Sequence, residues 1–206
     1  AAEVLGLPGG ATVGPGTGDN MGAALGLGLA SGDVAVSLGT SGTAYAVSDR
    51  PTADASGAVA GFADAAGAFL PLVCTLNATR VTATVAAWLG VDAAELGELA
   101  LTAGDGSGGD SDDESSPILV PYFDGERTPN RPDSTGLMTG MRTGTSRAEL
   151  ARAAFDGVLC GLLDGVDALT AAGWPVIGVS RSARGDGGSF EQVLGDVTAA
   201  ATVELV

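Results

Sequence analysis

Short apolar runs closed by glycine turns occupy the first third of the chain, and apolar positions at helical spacing dominate much of the rest. Residues 33–38 and 43–48 predict two strands around the turn Gly39-Thr40-Ser41-Gly42, and residues 59–64 and 68–74 predict a second hairpin turned at Ala65-Ala66-Gly67. Residues 11–13 suggest a weak strand, and residues 20–30 a short helix with Gly22 and Gly26 on one face. That glycine pair fits close packing in a water-soluble core, because the run is far shorter than the ~20 residues a bilayer demands.

Residues 77–89 carry Val81, Val85, Trp88 and Leu89 at a spacing near 3.6, which predicts a helix. Another is expected over 92–103, where Asp92 and Glu95 stand at the offset of a capping box. Ser146 and Glu149 repeat that signature at the start of the longest predicted helix, which runs to about Ala172. Leu150, Ala154, Val158, Leu162 and Val166 line one stripe of it, and Gly157, Gly161 and Gly165 form a smooth strip that lets another backbone approach. Residues 117–123 predict a short buried strand, followed by a dense polar turn over 124–130. Beyond Gly173, a strand at 175–179, a helix at 189–198 and a strand at 202–206 complete the pattern of a mixed sheet with helices packed on it. Residues 104–116 are Gly/Ser/Asp/Glu-rich and lack EF-hand spacing, so a solvated loop is expected rather than a calcium loop.

Composition narrows the chemistry. With 206 residues and 45% hydrophobic content, the chain can bury a sizeable core in one domain or two. A formal charge of −16 disfavours nucleic acid and anionic membranes as partners, since both would repel it. No signal-peptide pattern is visible, and with only Cys74 and Cys160 a reducing cytoplasm is expected. The chain contains neither histidine nor lysine. A Ser-His-Asp triad, a Walker A lysine and a pyridoxal Schiff base are therefore excluded within it. Carboxylates, hydroxyls, arginines, backbone N–H groups and a metal ion remain as catalytic means.

Two stretches concentrate those means: Gly16-Thr17-Gly18-Asp19-Asn20, and Ser37-Leu38-Gly39-Thr40-Ser41-Gly42. Asp19 is either the N-cap of the helix it precedes or a general base held at a helix start. The Gly39–Gly42 turn is either an ordinary hairpin turn or a nest whose N–H groups and hydroxyls receive phosphate oxygens.

In order and spacing, these stretches together with Gly67-Ala68-Phe69-Leu70-Pro71, Pro121-Tyr122-Phe123-Asp124-Gly125-Glu126-Arg127-Thr128-Pro129-Asn130 and the helix around Arg152 to Gly157 resemble the FGGY family of carbohydrate kinases, its bacterial xylulokinases most closely. The resemblance covers roughly residues 14 to 172. It implies an actin-like, ribonuclease H-like ATPase fold of the α/β class, incomplete here. Residues 1–30 would be the tail of an N-terminal sugar-binding domain and residues 31–206 most of a C-terminal nucleotide-binding domain. The first-domain Asp-x-Gly-Thr motif and much of the sugar site would lie upstream of Ala1, so this stretch alone is expected to be inactive.

The implied activity is ATP-dependent phosphorylation of a ketose, D-xylulose first, with ribulose, glycerol or a non-catalytic actin-like regulatory protein as alternatives. ATP and Mg²⁺ are the implied cofactors, a small sugar the partner, and a homodimer is compatible. The resemblance makes Asp19 the catalytic base, Asp19 and Asn20 substrate contacts, and Gly39, Thr40, Ser41 and Gly42 the nucleotide-phosphate turn; no protein metal ligand is assigned. Asp124, Glu126 and Arg127 are expected to form a mutually paired turn in the cleft wall, Asn77 to cap a helix and Arg80 to be a surface charge. One departure stands out. Ser182, Ala183 and Arg184 occupy the place of a glycine-rich adenosine turn, with Gly187-Gly188 as a shifted substitute.

Overall fold

The computed structural model describes residues 14–103 and 116–174, together with Val4, Gly6 and residues 8–10. The elements predicted at 11–13, 175–179, 189–198 and 202–206, the altered turn at 182–188 and nearly all of the 104–116 loop lie outside the described residues. In chain order the elements are α1 (Asp19–Leu27), β1 (Val34–Leu38), β2 (Gly42–Ala46), β3 (Ala60–Ala63), β4 (Phe69–Thr75), α2 (Thr79–Leu89), α3 (Ala93–Thr102), β5 (Ile118–Val120), β6 (Leu137–Thr139) and α4 (Arg147–Ala171).

Both expected hairpins form, and they join into one antiparallel sheet of order β1-β2-β4-β3. Val34 pairs with Ala46 and Leu38 with Gly42, while Gly42 pairs with Thr75 on the other side, so β2 is internal. The pleat sorts the residues of β2 between two cores. Ala44 and Ala46 meet Val166 and Leu169 of α4 with Val34 and Val73, whereas Tyr45 and, just past the strand, Val47 meet Ala24 of α1 with Leu70 and Leu72. The sheet is thus covered by α4 on one face and touched by α1 on the other.

A third core joins the helices. Val81, Val85 and Ala86 of α2, Leu96 and Ala100 of α3, and Ala151, Ala154, Val158 and Leu162 of α4 pack together with Leu119 of β5. The 25 residues of α4 therefore bridge both cores, its first half against helices and its last turns against the sheet. Both capping boxes are present, Asp92 with Glu95 and Ser146 with Glu149.

Several expectations change. α1 ends at Leu27 rather than residue 30, because Gly28 turns left-handed (φ 68°) and its N–H closes on Ala24 and Leu25 carbonyls. α2 starts at Thr79, two residues later than expected. The strand expected over 117–123 is only Ile118–Val120, bracketed by Pro117 and Pro121, and it pairs with β6, which sequence reasoning missed. The glycine strip on α4 is used unevenly. A methyl on Gly157 would overlap the Leu119 carbonyl oxygen, one on Gly165 would lie 3.2 Å from Val73 Cγ1, and one on Gly161 would meet nothing within 4 Å.

Candidate functional site

The candidate site gathers at the end of the β1–β2 hairpin and the start of α1. Asp19 is the first residue of α1, and Gly18, with extended backbone, is the N-cap. Of the two readings of Asp19, the N-cap is therefore off by one position, since Gly18 holds that place. Its Oδ1 accepts the N–H of Asn20 (2.8 Å), and Oδ2 has no partner among the described residues. The carboxylate is exposed. Its charge reaches the Tyr45 phenol, whose pKa is pushed above the ordinary tyrosine value first by burial and then by Asp19.

Asn20 connects this carboxylate to the sheet. Its Oδ1 accepts from Thr43 Oγ1 (3.2 Å), one residue beyond the Gly39–Gly42 turn. The turn itself is pinned at both ends. The Gly39 carbonyl accepts from the N–H (3.0 Å) and Oγ1 (2.8 Å) of Thr79, the first residue of α2. Gly42 N–H donates to Thr75 Oγ1 (3.2 Å), and that hydroxyl turns its proton to the Gly42 carbonyl (3.4 Å).

These bonds divide the four turn residues by role. Gly39 N–H is taken by the Ser41 carbonyl (3.0 Å), and Gly42 N–H by Thr75. Gly42 is glycine for packing, since a methyl there would overlap Leu162 of α4 and lie 2.6 Å from Thr75 Oγ1. Thr40 and Ser41 are exposed, and their N–H groups and hydroxyls have no hydrogen-bond partner among the described residues. Four donors thus project from a turn whose backbone is fixed, which is what an anion requires of its cradle.

The polar turn after β5 differs from expectation. Glu126, 3% exposed, does not pair with the Arg127 side chain. Its Oε1 accepts the N–H groups of Leu76 (2.6 Å) and Arg127 (2.7 Å), and Oε2 accepts from Asn77 Nδ2 (2.8 Å). Asn77 also donates to the Gly125 carbonyl (2.7 Å) and caps no helix, since Ala78 precedes α2. Asp124 instead meets Arg80 across 3.3 Å, both side chains largely exposed. Desolvation explains the rearrangement: a buried carboxylate needs its oxygens filled, and fixed backbone N–H groups do this without burying a second charge. The network fastens the 76–77 segment, and with it the start of α2, to the 125–127 turn. Sequence reasoning missed this structural role for Glu126 and Asn77.

An apolar groove of about 380 Å³ lies between α2, β5 and β6, lined by Trp88, Phe123, Leu137, Met138 and Met141 among others. It shares no residue with the Asp19–Gly42 group. No cluster of three or more His, Cys, Asp or Glu among the described residues is arranged to hold a metal ion. No described helix is long and apolar enough to cross a membrane.

Comparison with known proteins adds three findings. Residues 34–196 match the model of the FGGY family of carbohydrate kinases, C-terminal domain. Xylulose kinases of Streptomyces coelicolor and Streptomyces rubiginosus are each 49% identical to the chain, over 160 and 158 residues, 77% of this chain and 30% of each relative. The crystal structure of xylulose kinase from Bifidobacterium adolescentis superimposes with a TM-score of 0.68 at 47% identity, covering 80% of this chain and 31% of that one. The chain thus spans about a third of the length of the relatives it matches.

Proposed function

The chain belongs to the FGGY family of carbohydrate kinases, and on that basis we propose that the protein carrying it transfers the γ-phosphoryl group of ATP to a ketose, D-xylulose first among candidates. What supports this substrate is the 49% identity to two xylulose kinases. Residues 1–30 are read as the end of a sugar-binding domain and residues 31–206 as most of a nucleotide-binding domain, in keeping with a family match that starts at residue 34.

The observation that carries the mechanism is the exposed Asp19 carboxylate, one oxygen held by Asn20 and the other free, tied through Thr43 to a turn of unpaired donors. In this reading Asp19 Oδ2 accepts the proton of the attacking sugar hydroxyl as its oxygen bonds to phosphorus. Asn20 Nδ2 donates to the same sugar. The N–H groups and hydroxyls of Thr40 and Ser41 receive phosphate oxygens, and the hydrogen bonds from Thr79 and Thr75 hold the turn still while they do so. ATP supplies the phosphoryl group and Mg²⁺ offsets its charge. Magnesium is commonly bound through phosphates, water and only one or two carboxylates, and no metal-holding cluster is arranged among the described residues, so Mg²⁺ would enter with the nucleotide.

A cytoplasmic location accords with the reading and with Cys74 and Cys160 both being free thiols. The test is ATP consumption by the whole protein carrying this chain, offered D-xylulose, D-ribulose and glycerol in turn. D-xylulose is expected to give the highest kcat/KM, and turnover with none of them overturns the reading. The non-catalytic alternative, favoured by Ser182, Ala183 and Arg184 in the adenosine turn, predicts that ATP does not bind at all.

A further inference from the structure

α1 and β2 are anchored very unequally. β2 is hydrogen-bonded on both sides, with Thr43 opposite Ser37 of β1 and Cys74 of β4, so the Thr43 backbone is fixed by two ladders. Of the nine residues of α1, Ala24 alone is buried, and Leu25 and Leu27 are 61% and 47% exposed. The described side-chain tie of α1 to the sheet is the bond from Thr43 Oγ1 to Asn20 Oδ1, and it is part-buried. The same Asn20 gives its backbone N–H to Asp19 Oδ1.

We propose that Thr43 is a positioning residue for phosphoryl transfer: acting through Asn20, its hydroxyl fixes the Asp19 carboxylate relative to the Thr40–Ser41 donors. The proposal rests on the reading of Asp19 as general base. It also assigns the Asn20 amide two tasks, its oxygen held by Thr43 and its nitrogen left for the sugar. Thr43 follows directly on the turn, so the tie joins proton acceptor and phosphate cradle by the shortest route the fold provides. Proton transfer depends steeply on placement. Loss of a single neutral hydrogen bond loosens the base without expelling it, and a three- to tenfold fall in kcat is the order expected.

The test uses steady-state kinetics of the whole protein with D-xylulose and MgATP. Thr43→Val and Thr43→Ala remove the hydroxyl; valine suits a strand and should fold normally. Both are expected to lower kcat by about three- to tenfold with KM for ATP unchanged, and Thr43→Ser is expected to retain most of the wild-type kcat. Combined with Asn20→Ala, Thr43→Val should cost nothing further, because the two residues act as one unit. Wild-type kcat in Thr43→Val and Thr43→Ala overturns the proposal. So does a rise confined to KM for ATP, a Thr43→Ser variant as impaired as Thr43→Val, or additive losses in the double variant. Asp19→Asn separates the two levels: if it stays active the general-base reading itself fails, whereas if it is dead and Thr43→Val is normal, only the positioning role is lost.

Discussion

Three glycines on α4 form a graded test of how that helix is seated. Each Gly→Ala change gains about 1 kcal/mol of intrinsic helix propensity, so the differences among them report what the new methyl meets. At Gly161 it meets nothing within 4 Å, and the full gain should appear, about 1 kcal/mol or a rise in Tm of about 2–4 °C. At Gly165 it lies 3.2 Å from Val73 Cγ1 and 4.0 Å from Ala44 Cβ, tight but against side-chain atoms, so gain and strain should roughly cancel. At Gly157 it lands on the Leu119 carbonyl oxygen, a backbone atom that no rotamer change can move aside. Overpacking of that kind costs about 3 kcal/mol, leaving a net loss of about 2 kcal/mol after the propensity gain. Urea unfolding followed by the fluorescence of Trp88 and Trp174 measures all three, with unchanged m-values confirming that stability alone has moved. If Gly157→Ala is as stable as Gly161→Ala, α4 does not rest on β5 as described, and the packing argument fails.

The buried carboxylate and the acidic face of α4 give two further expectations. Glu126→Ala leaves the N–H groups of Leu76 and Arg127 and the Asn77 amide without their acceptor. A loss of about 3 kcal/mol is expected in urea unfolding, with Glu126→Gln less severe because one carbonyl oxygen can keep the two N–H bonds; equal stability of Glu126→Ala and wild type would refute the network. Asp164, exposed on α4, has its pKa raised first by partial desolvation of its carboxyl and, secondarily, by the charge of Asp167. A raised carboxyl pKa means that its contribution to stability is complete below the ordinary aspartate value and lost as pH rises through the folded value. Asp164→Asn should therefore raise the thermal midpoint at pH 7 and leave it unchanged near pH 3, and the opposite pH dependence would contradict the assignment.

What could be read directly from the residues was local. The capping boxes of Asp92 and Ser146 involve positions three apart, and both form as written. The hairpins follow from apolar runs closed by glycine turns, and the stripe on α4 from helical spacing, with Ala154, Val158, Leu162 and Val166 all buried. What escaped depends on partners distant in the chain. Glu126 reads as one charge among several in a mutually paired polar turn, and only the approach of residues 76 and 77, some 50 positions earlier, makes it a buried acceptor. β6 is three residues between Gly136 and Gly140, too short for a period to show. Gly157 and Gly161 are indistinguishable by spacing, and the difference between them is the position of Leu119. In the candidate site, Asp19 and the Gly39–Gly42 turn were visible as motifs. Their division into structural glycines at 39 and 42 and donor residues at 40 and 41 was not, because it depends on Thr75, Thr79 and Leu162 closing in from behind.

The central claim is that Asp19 accepts the sugar proton. Asp19→Asn keeps the size and the Asn20 contact of the side chain and removes its basicity. The decisive measurement is kcat for ATP-dependent phosphorylation of D-xylulose by the whole protein carrying this chain, wild type against Asp19→Asn, with ATP affinity measured alongside. The account predicts a loss of roughly a hundredfold or more, the scale of general-base catalysis, with ATP affinity retained. Turnover within a few-fold of wild type would contradict it.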